Sequence, residues 1–207
     1  VTFGPLTLRN RTIRSAAFES MCPGNAPSDM LLDYHRSVAA GGIGMTTVAY
    51  AAVTQSGLSF DRQLWMRPEI IPGLRRLTDA IHAEGAAAGI QLGHCGNMSH
   101  KSICGCMPVG ASSGFNLYSP TFVRGLRADE LPEMARAYGR SVNLAREAGF
   151  DSVEIHAGHG YLISQFLSPS TNHRKDEFGG SLQNRMRFMD MVMEEVMKAA
   201  AVIWLCW

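Results

Sequence analysis

The sequence has little net charge, few cysteines and no long apolar run, and each of these shortages excludes a class of function. Its 207 residues carry a formal net charge of +1, which gives no electrostatic basis for binding nucleic acid or an anionic membrane. No run of about twenty apolar residues is present, so no membrane span is predicted. No basic and apolar leader opens the sequence, and we therefore expect a cytoplasmic protein without a signal peptide.

The cysteines do not form the pattern of a secreted disulfide framework. Their number, five, is odd, and the only close pair is Cys104-Gly-Cys106. Cys104 and Cys106 could bind a metal together with His94 or His100, but their spacing is not that of a C-x-x-C pair and no second pair follows. The favoured interpretation is a set of reduced thiols, with this pair on a loop.

Short apolar segments alternate with longer segments of helical periodicity. Strands are predicted at 12–16, 43–53, 87–92 and 151–155. Helices are predicted to begin near Ser28, Pro68, Asp129 and Ser181. This order predicts an α/β fold with a parallel sheet. No glycine-rich phosphate turn follows the first strand, which argues against a dinucleotide-binding sheet. The segment 94–127, rich in Gly, Ser, Cys and Pro, is predicted to be a long loop that is either functional or disordered.

The apolar residues 199–207 follow the last predicted helix, where a fifth strand would be expected. They form an atypical tail without a turn or a polar residue at the strand end. Three interpretations stay open: a fifth strand, a shifted reading frame or an aberrant terminus.

The most informative polar residues follow the predicted strand 151–155. His156, His159 and Tyr161 lie within six residues of one another, just beyond a strand end that can hold side chains rigidly. Two imidazoles and a phenol can bind an oxyanion and supply a proton. The spacing His-x-x-His also suits a metal pair, but no carboxylate or third ligand is close in sequence. A purely structural histidine pair is the remaining alternative.

Residues 154–169, EIHAGHGYLISQFLSP, and 171–188, TNHRKDEFGGSLQNRMRF, resemble the Old Yellow Enzyme family of FMN-dependent ene-reductases. The resemblance implies a TIM (β/α)8 barrel of the FMN-linked oxidoreductase type, truncated after about four βα units, with residues 1–198 as its N-terminal part. It also implies FMN as cofactor and NADH or NADPH as reductant. The expected substrate is a small unsaturated carbonyl compound whose activated C=C bond is reduced.

The same resemblance assigns roles to individual residues. Tyr161 is expected to donate the proton, and His156 and His159 are expected to bind the substrate oxygen. The residues expected to contact the flavin are Ser15, Ala16, Ala17, Tyr50 and Gln91. Phe18 stands where many relatives have a Thr or Cys that bonds to the flavin.

Other polar residues are assigned less chemical roles. Ion pairs and hydrogen bonds are expected to fasten the loop after the fourth strand through Arg174, Asp176, Asn184 and Arg185. His94 is expected either to line the site or to be a core or loop histidine. Four further histidines are expected to be solvated, namely His35, His82, His100 and His173.

Alternatives from two other classes remain. The chain could be an inactive half-barrel without bound flavin, acting if at all by assembly with another chain. A cut barrel would expose strand edges and apolar surface, so a homo-oligomer is also possible. The third candidate is a metal-dependent barrel hydrolase.

Overall fold

The computed structural model describes residues 1–3, 6–200 and 204–206. The strands in chain order are β1 (Thr2–Phe3), β2 (Leu6–Thr7), β3 (Ile13–Arg14), β4 (Met45–Ala52), β5 (Ala87–Gly93), β6 (Val109–Gly110), β7 (Gly114–Asn116), β8 (Thr121–Gly125), β9 (Ser152–Ile155) and β10 (Trp204–Cys206). The α-helices are α1 (Asp29–Ala40), α2 (Ile71–Ala83), α3 (Lys101–Cys104), α4 (Leu131–Glu147), α5 (Leu162–Leu167) and α6 (Leu182–Ala199).

The main sheet has five parallel strands in the order β3, β4, β5, β9 and β10. This spatial order follows the chain order, without the reversal that creates the switch point of a doubly wound sheet. The α/β prediction with a parallel sheet is confirmed. The first strand is shorter than predicted, because only Ile13 and Arg14 pair with β4.

The tail contributes a strand to this sheet. Trp204 to Cys206 pair in parallel with Ser152 to Glu154, as the fifth-strand interpretation predicted. Residues 201–203 and 207 lie outside the described residues.

Local sequence explains where the helices begin. The Ser28 hydroxyl accepts the Leu31 backbone N–H at 3.1 Å, and the Ser181 hydroxyl accepts the Asn184 N–H at 3.3 Å. Both serines therefore cap the helices that were predicted to start there. The long helices pack against one another in sequence, α1 on α2, α2 on α4 and α4 on α6. Among the described residues, no helix combines the length and apolarity that crossing a membrane requires.

The segment 94–127 is not the unstructured loop that its composition predicted. It forms the short helix α3 and a small sheet in which β8 pairs in parallel with β6 and antiparallel with β7. The composition was misleading because these strands are only two to five residues long, too short to show a period of two. Val109 of β6 and the flanking Ala111 belong to the main hydrophobic core and attach this small sheet to the body of the protein.

The loop after β9 is fastened as predicted. Arg174 pairs with Asp176 at 2.5 Å and donates to the carbonyls of Ala111, at 3.0 Å, and Leu126. The Asn184 side chain donates to the Gly179 carbonyl at 2.9 Å. Arg185 likewise donates to the carbonyls of Leu167 and Gly180. The polar residues of the family-like stretch thus hold backbone that no sheet or helix would otherwise satisfy.

The prediction that His35 is solvated was wrong. His35 has no exposed surface, and its Nδ1 lies 2.8 Å from Thr46 Oγ1 in β4. Its Nε2 is 3.2 Å from a carboxylate oxygen of Glu19. Sequence periodicity on α1 could not show this, because both partners come from other segments.

Gly139 generates the first testable expectation, because α4 and α6 approach closely there. A Cβ at this position would lie 2.9 Å from the Glu195 carbonyl oxygen on α6. Gly→Ala normally stabilises a helix interior by about 1 kcal/mol. We expect Gly139→Ala instead to lower the free energy of unfolding, because the facing atom belongs to a backbone that cannot move aside.

Urea denaturation measures this change, with Asn143→Ala on the exposed face of the same helix as control. The control should raise stability slightly through helix propensity. A stabilised Gly139→Ala variant would contradict the close packing of α4 on α6.

Candidate active site

A cavity of about 250 Å³ lies at the carboxyl ends of β4, β5 and β9, next to the segment that follows β3. Polar groups at the carboxyl ends of parallel strands meet at one edge of a sheet, which is where (β/α)8 barrels place their active sites. Seven of the eight predicted site residues line this cavity. The lining residues are Ala16, Ala17, Phe18, Ala49, Tyr50, Phe60, Gln91, His156, His159 and Tyr161.

The eighth predicted residue is placed differently. Ser15 is exposed and is not among the residues that line the cavity. Phe18 and Phe60, for which no binding role was predicted, stack with ring centroids 4.7 Å apart at its edge. Both rings are more than a third exposed, which is unusual for phenylalanine. Sequence reasoning missed this pair because Phe18 and Phe60 are far apart in the chain.

His156 and His159 are held against each other beyond β9. His156 Nε2 lies 3.3 Å from His159 Nδ1, and the Gly158 N–H donates to His156 Nδ1 at 3.3 Å. This donor assigns the His156 proton to Nε2. His159 has a left-handed backbone with φ 54°, a conformation that residues other than glycine rarely adopt. The turn therefore directs the His159 ring back toward His156.

The two rings differ in their surroundings. His156 is buried, and burial, followed by the neighbouring His159, lowers the pKa of His156 to about 4. His156 is consequently neutral at physiological pH. His159 is exposed on the rim of the cavity. His156 thus offers an N–H donor to an oxygen without bringing a fixed positive charge of its own into the site.

Tyr161 lies beside His156 and Tyr50, with ring centroids 4.7 Å and 5.3 Å away. Its partial burial raises the pKa of the Tyr161 phenol above the ordinary value, so the phenol is protonated at neutral pH. The position fits a group that holds a proton ready for transfer next to the histidine pair.

Tyr50 is fixed by a network that sequence inspection did not find. Its hydroxyl donates to the Gly57 carbonyl at 3.2 Å and lies 2.9 Å from Ser59 Oγ. Gln63 Oε1 accepts the Ser59 N–H at 2.9 Å, and Gln63 Nε2 donates to the Tyr50 carbonyl at 3.2 Å. These residues form a buried support behind Tyr161. The clustering of polar residues after β4 was the available signal.

Gln91 is oriented by Glu154. The two residues face each other across β5 and β9, and Gln91 Nε2 donates to Glu154 Oε1 at 2.6 Å. One amide hydrogen is therefore engaged, which leaves the Gln91 oxygen and a second N–H for the cavity. Glu154 had no predicted role, although its place on the neighbouring strand end was visible in the sequence.

Two alternatives were predicted for His94, and the structure shows it as a core histidine rather than one that lines the site. It is fully buried, accepts the Gly96 N–H at Nδ1 over 2.9 Å, and places Nε2 3.1 Å from Ser56 Oγ. Burial lowers its pKa to about 3. Neutral His94 thus joins the turn after β5 to the turn after β4, and it does not line the cavity.

Within residues 1–3, 6–200 and 204–206, no three His, Cys, Asp or Glu side chains form a group able to hold a metal ion. His100, one of the possible ligands near the cysteine pair, instead places its Nε2 2.6 Å from Ser119 Oγ. The metal interpretations of the His-x-x-His and Cys-Gly-Cys spacings gain no support from this geometry.

The parallel sheet with polar residues at its strand ends defines an α/β protein of the class that includes (β/α)8 barrels, and sequence comparison identifies the family. Residues 1–203 match the model of the NADH:flavin oxidoreductase / NADH oxidase family. The chain belongs to this family, whose flavin is FMN and whose reductant is NAD(P)H.

Three relatives illustrate the extent of the similarity. The 4,4'-dithiodibutanoate disulfide reductase of Rhodococcus erythropolis is 43% identical over 95% of this chain and 49% of its own length. An NADPH dehydrogenase of Listeria monocytogenes is 36% identical over 96% of this chain and 58% of its own. The structure of the old yellow enzyme homologue from Zymomonas mobilis superposes with a TM-score of 0.89 at 29% identity, over 96% of this chain and 59% of that one. The chain thus spans about half the length of the curated relatives it matches.

The cavity suits a flavin ring. Alanine methyl groups and aromatic rings provide apolar walls, and the Gln91 amide presents a hydrogen-bonding edge. A ring with a polar rim and apolar faces needs both kinds of contact. The residues present therefore fit the cofactor of the family.

The buried His94 predicts how the stability of the fold depends on pH. The unfolded chain binds a proton at His94 below about pH 6.5, whereas the folded chain does so only near pH 3. The unfolded state binds more protons between these values, so stability falls as the pH is lowered through them. Glutamine at this position cannot titrate. We therefore expect His94→Gln to reduce the fall in the free energy of unfolding at acid pH, and to lower stability at neutral pH.

Urea denaturation at about pH 7 and about pH 5 measures the difference. The control is His173→Gln, which changes an exposed histidine. Its stability should fall between these pH values by as much as that of the unaltered chain. If His94→Gln lost as much stability at acid pH as the unaltered chain, His94 would not be the titrating group.

Proposed function

We propose that this chain forms the first part of an FMN-dependent (β/α)8 barrel that reduces a C=C bond activated by a carbonyl or carboxyl group. The observation that carries the proposal is the convergence of His156, His159 and Tyr161 with Gln91 on one cavity at the strand ends. The sequential order of the five parallel strands supports the barrel, because a barrel adds each strand beside the previous one.

The histidine pair binds the substrate oxygen. The bond between the two rings is long, at 3.3 Å, so an approaching oxygen can replace it and accept N–H groups from both. Donors fixed in advance at the place where negative charge develops are the most effective form of electrostatic catalysis. Since burial keeps His156 neutral, it stabilises the oxygen by donating a hydrogen bond and without transferring a proton fully.

Tyr161 supplies the proton that the substrate carbon requires. Its raised pKa keeps the phenol protonated, and its place 4.7 Å from the His156 ring puts it on the substrate side of the cavity. Tyr50 and Ser59 hold the neighbouring wall, so Tyr161 has little freedom to turn away. A positioned acid of this kind typically contributes roughly 10²–10⁴-fold to a rate.

The flavin side of the cavity is formed by other residues. Gln91, oriented by Glu154, would bind the polar edge of the ring, and Ala16, Ala17 and the backbone near Tyr50 would contact its face. When bound, FMN supplies hydride taken from NAD(P)H, a transfer for which amino-acid side chains are not suited.

A second substrate class is an organic disulfide, because a relative that is 43% identical is named a disulfide reductase. The two classes make different demands on Tyr161. Reduction of a C=C bond needs a proton delivered to carbon, whereas cleavage of a disulfide releases thiolates that can take protons from water. The same variant therefore distinguishes them.

The test compares the chain with Tyr161→Phe, both loaded with FMN. Reduction of the bound flavin by NADPH should be similar in the two, since Tyr161 takes no part in it. Reoxidation by 2-cyclohexenone should be slower in Tyr161→Phe by roughly 10²-fold or more. Stopped-flow absorbance follows each half-reaction separately.

Equal enone rates in the two proteins would rule out Tyr161 as the proton source. Rapid reoxidation of both proteins by 4,4'-dithiodibutanoate, with slow enone reduction, would favour the disulfide class. A folded chain that retains no FMN would favour the inactive half-barrel that acts only by assembly with another chain.

Glu154 provides a further expectation. Glu154→Ala should weaken FMN binding by roughly tenfold, because the Gln91 amide loses a charge-assisted hydrogen bond that fixes its orientation. Quenching of flavin fluorescence gives the dissociation constant. Glu177→Ala removes an exposed carboxylate outside the cavity and should leave affinity unchanged. Equal affinities in the two variants would remove Glu154 from the binding site.

A further inference from the structure

Cys104 and Cys106 lie outside the cavity that binds flavin and substrate, and the proposed function does not use them. Cys104 is the last residue of α3, and Gly105 follows in a left-handed conformation with φ 72°. This turn brings Cys106 Sγ to 3.7 Å from Cys104 Sγ. The two sulfurs are thus in contact but not bonded.

The two thiols have complementary exposure. Cys104 is 1% exposed, and its Sγ–H donates to the Cys106 carbonyl at 3.2 Å. Cys106 is exposed and lines an open cavity of about 620 Å³ beside α4. One thiol can therefore meet a dissolved molecule, while the other can be reached only through its neighbour.

The cavity beside Cys106 has apolar and charged walls. Met107, Val109 and Leu126 supply apolar surface. The arginines are matched by acids, since Arg124 bonds to Glu130 at 2.7 Å. Two further pairs, Arg127 with Asp129 and Arg140 with Glu133, are found on the same wall. This balance favours a small organic molecule without a strong charge requirement.

We propose that Cys104 and Cys106 form a thiol–disulfide exchange site for low-molecular-weight organic disulfides, with Cys106 attacking and Cys104 resolving. The Cys106 thiolate attacks one sulfur of RSSR, the S–S bond breaks, and RS⁻ leaves. Cys104, deprotonated as it reacts, then attacks Cys106 Sγ and expels the second RS⁻. Both thiol protons end on the two RSH products, so the protein dithiol is oxidised to a disulfide as RSSR is reduced.

The geometry makes this disulfide a reversible one. Only Gly105 separates the two cysteines, so ring closure requires the tight backbone turn that is already present. A disulfide in so small a ring departs from relaxed geometry and is easily reduced. Partial burial, and then the neighbouring Cys104 thiol, raise the pKa of Cys106 to about 11. The exchange rate should therefore rise about tenfold per pH unit between neutral and mildly alkaline pH.

Other cysteines serve as internal references. Cys22 and Cys95 are 4% and 0% exposed, and burial raises the pKa of each to about 12. Neither should react while the protein is folded. Cys206→Ser removes the fifth cysteine from the experiment.

The probe is 4,4′-dithiodipyridine, an uncharged disulfide whose released thiopyridone is coloured. The Cys206→Ser protein should release two thiopyridones per chain, carry no adduct and lose the mass of two hydrogens. With Cys104→Ser added, one thiopyridone should be released and one thiopyridyl group should remain on Cys106. Intact mass and peptide mapping identify each product.

A thiopyridyl group that persists on Cys106 in the Cys206→Ser protein would overturn the proposal, because Cys104 would not resolve it. Reaction at Cys106 no faster than at Cys22 would overturn it as well. Since the decisive mass is measured with both thiols present, the result does not depend on whether Cys104→Ser folds. Neither outcome involves flavin, so the exchange site stands or fails separately from the proposed reductase.

Discussion

The parallel pairing of β5 with β9 is the constraint on which the candidate site depends. Gly89 lies opposite Ser152, and a Cβ on Gly89 would approach Ser152 Oγ to 2.8 Å, so glycine allows the strands to meet in this register. Two residues further on, the same register places Gln91 opposite Glu154. The ladder continues beyond the strand, where the His156 N–H donates to the Leu92 carbonyl at 2.8 Å. A slip of one residue would turn these side chains to the opposite face of the sheet.

The site combines polar groups whose burial keeps them uncharged. Burial lowers the pKa of His156 and raises the pKa of Tyr161, so both groups are neutral over the same broad range of pH. A neutral donor and a neutral acid can lie side by side without repulsion, and each remains able to respond to charge that develops on a substrate. Arg174 and Asp176, by contrast, pair with each other outside the cavity and hold a loop rather than a substrate.

The parts of the structure that sequence reasoning predicted are those with local causes. Ser28 and Ser181 cap the helices they precede, and the spacing of His156, His159 and Tyr161 is short enough for one strand end to set their positions. The unpredicted parts depend on contacts between distant segments. His35 is buried by partners from β4 and from the segment after β3, and the support of Tyr50 comes from residues seven to thirteen positions away. Pattern alone carries no information about such pairings.

The groups proposed for catalysis are distinct from the groups that would hold the phosphate of the cofactor. The proposed donors, the proposed acid and the amide proposed to bind the ring all lie at the strand ends of this chain, where rigid backbone fixes their relative positions. A flavin nucleotide also carries a phosphate, and much of its binding free energy comes from contacts to that charged group. In (β/α)8 barrels such contacts commonly follow the seventh and eighth strands. The affinity for FMN is therefore a separate question from the placement of the proposed catalytic groups. Rates measured with FMN in excess report on His156, His159 and Tyr161 directly, because saturation removes the affinity difference from the comparison.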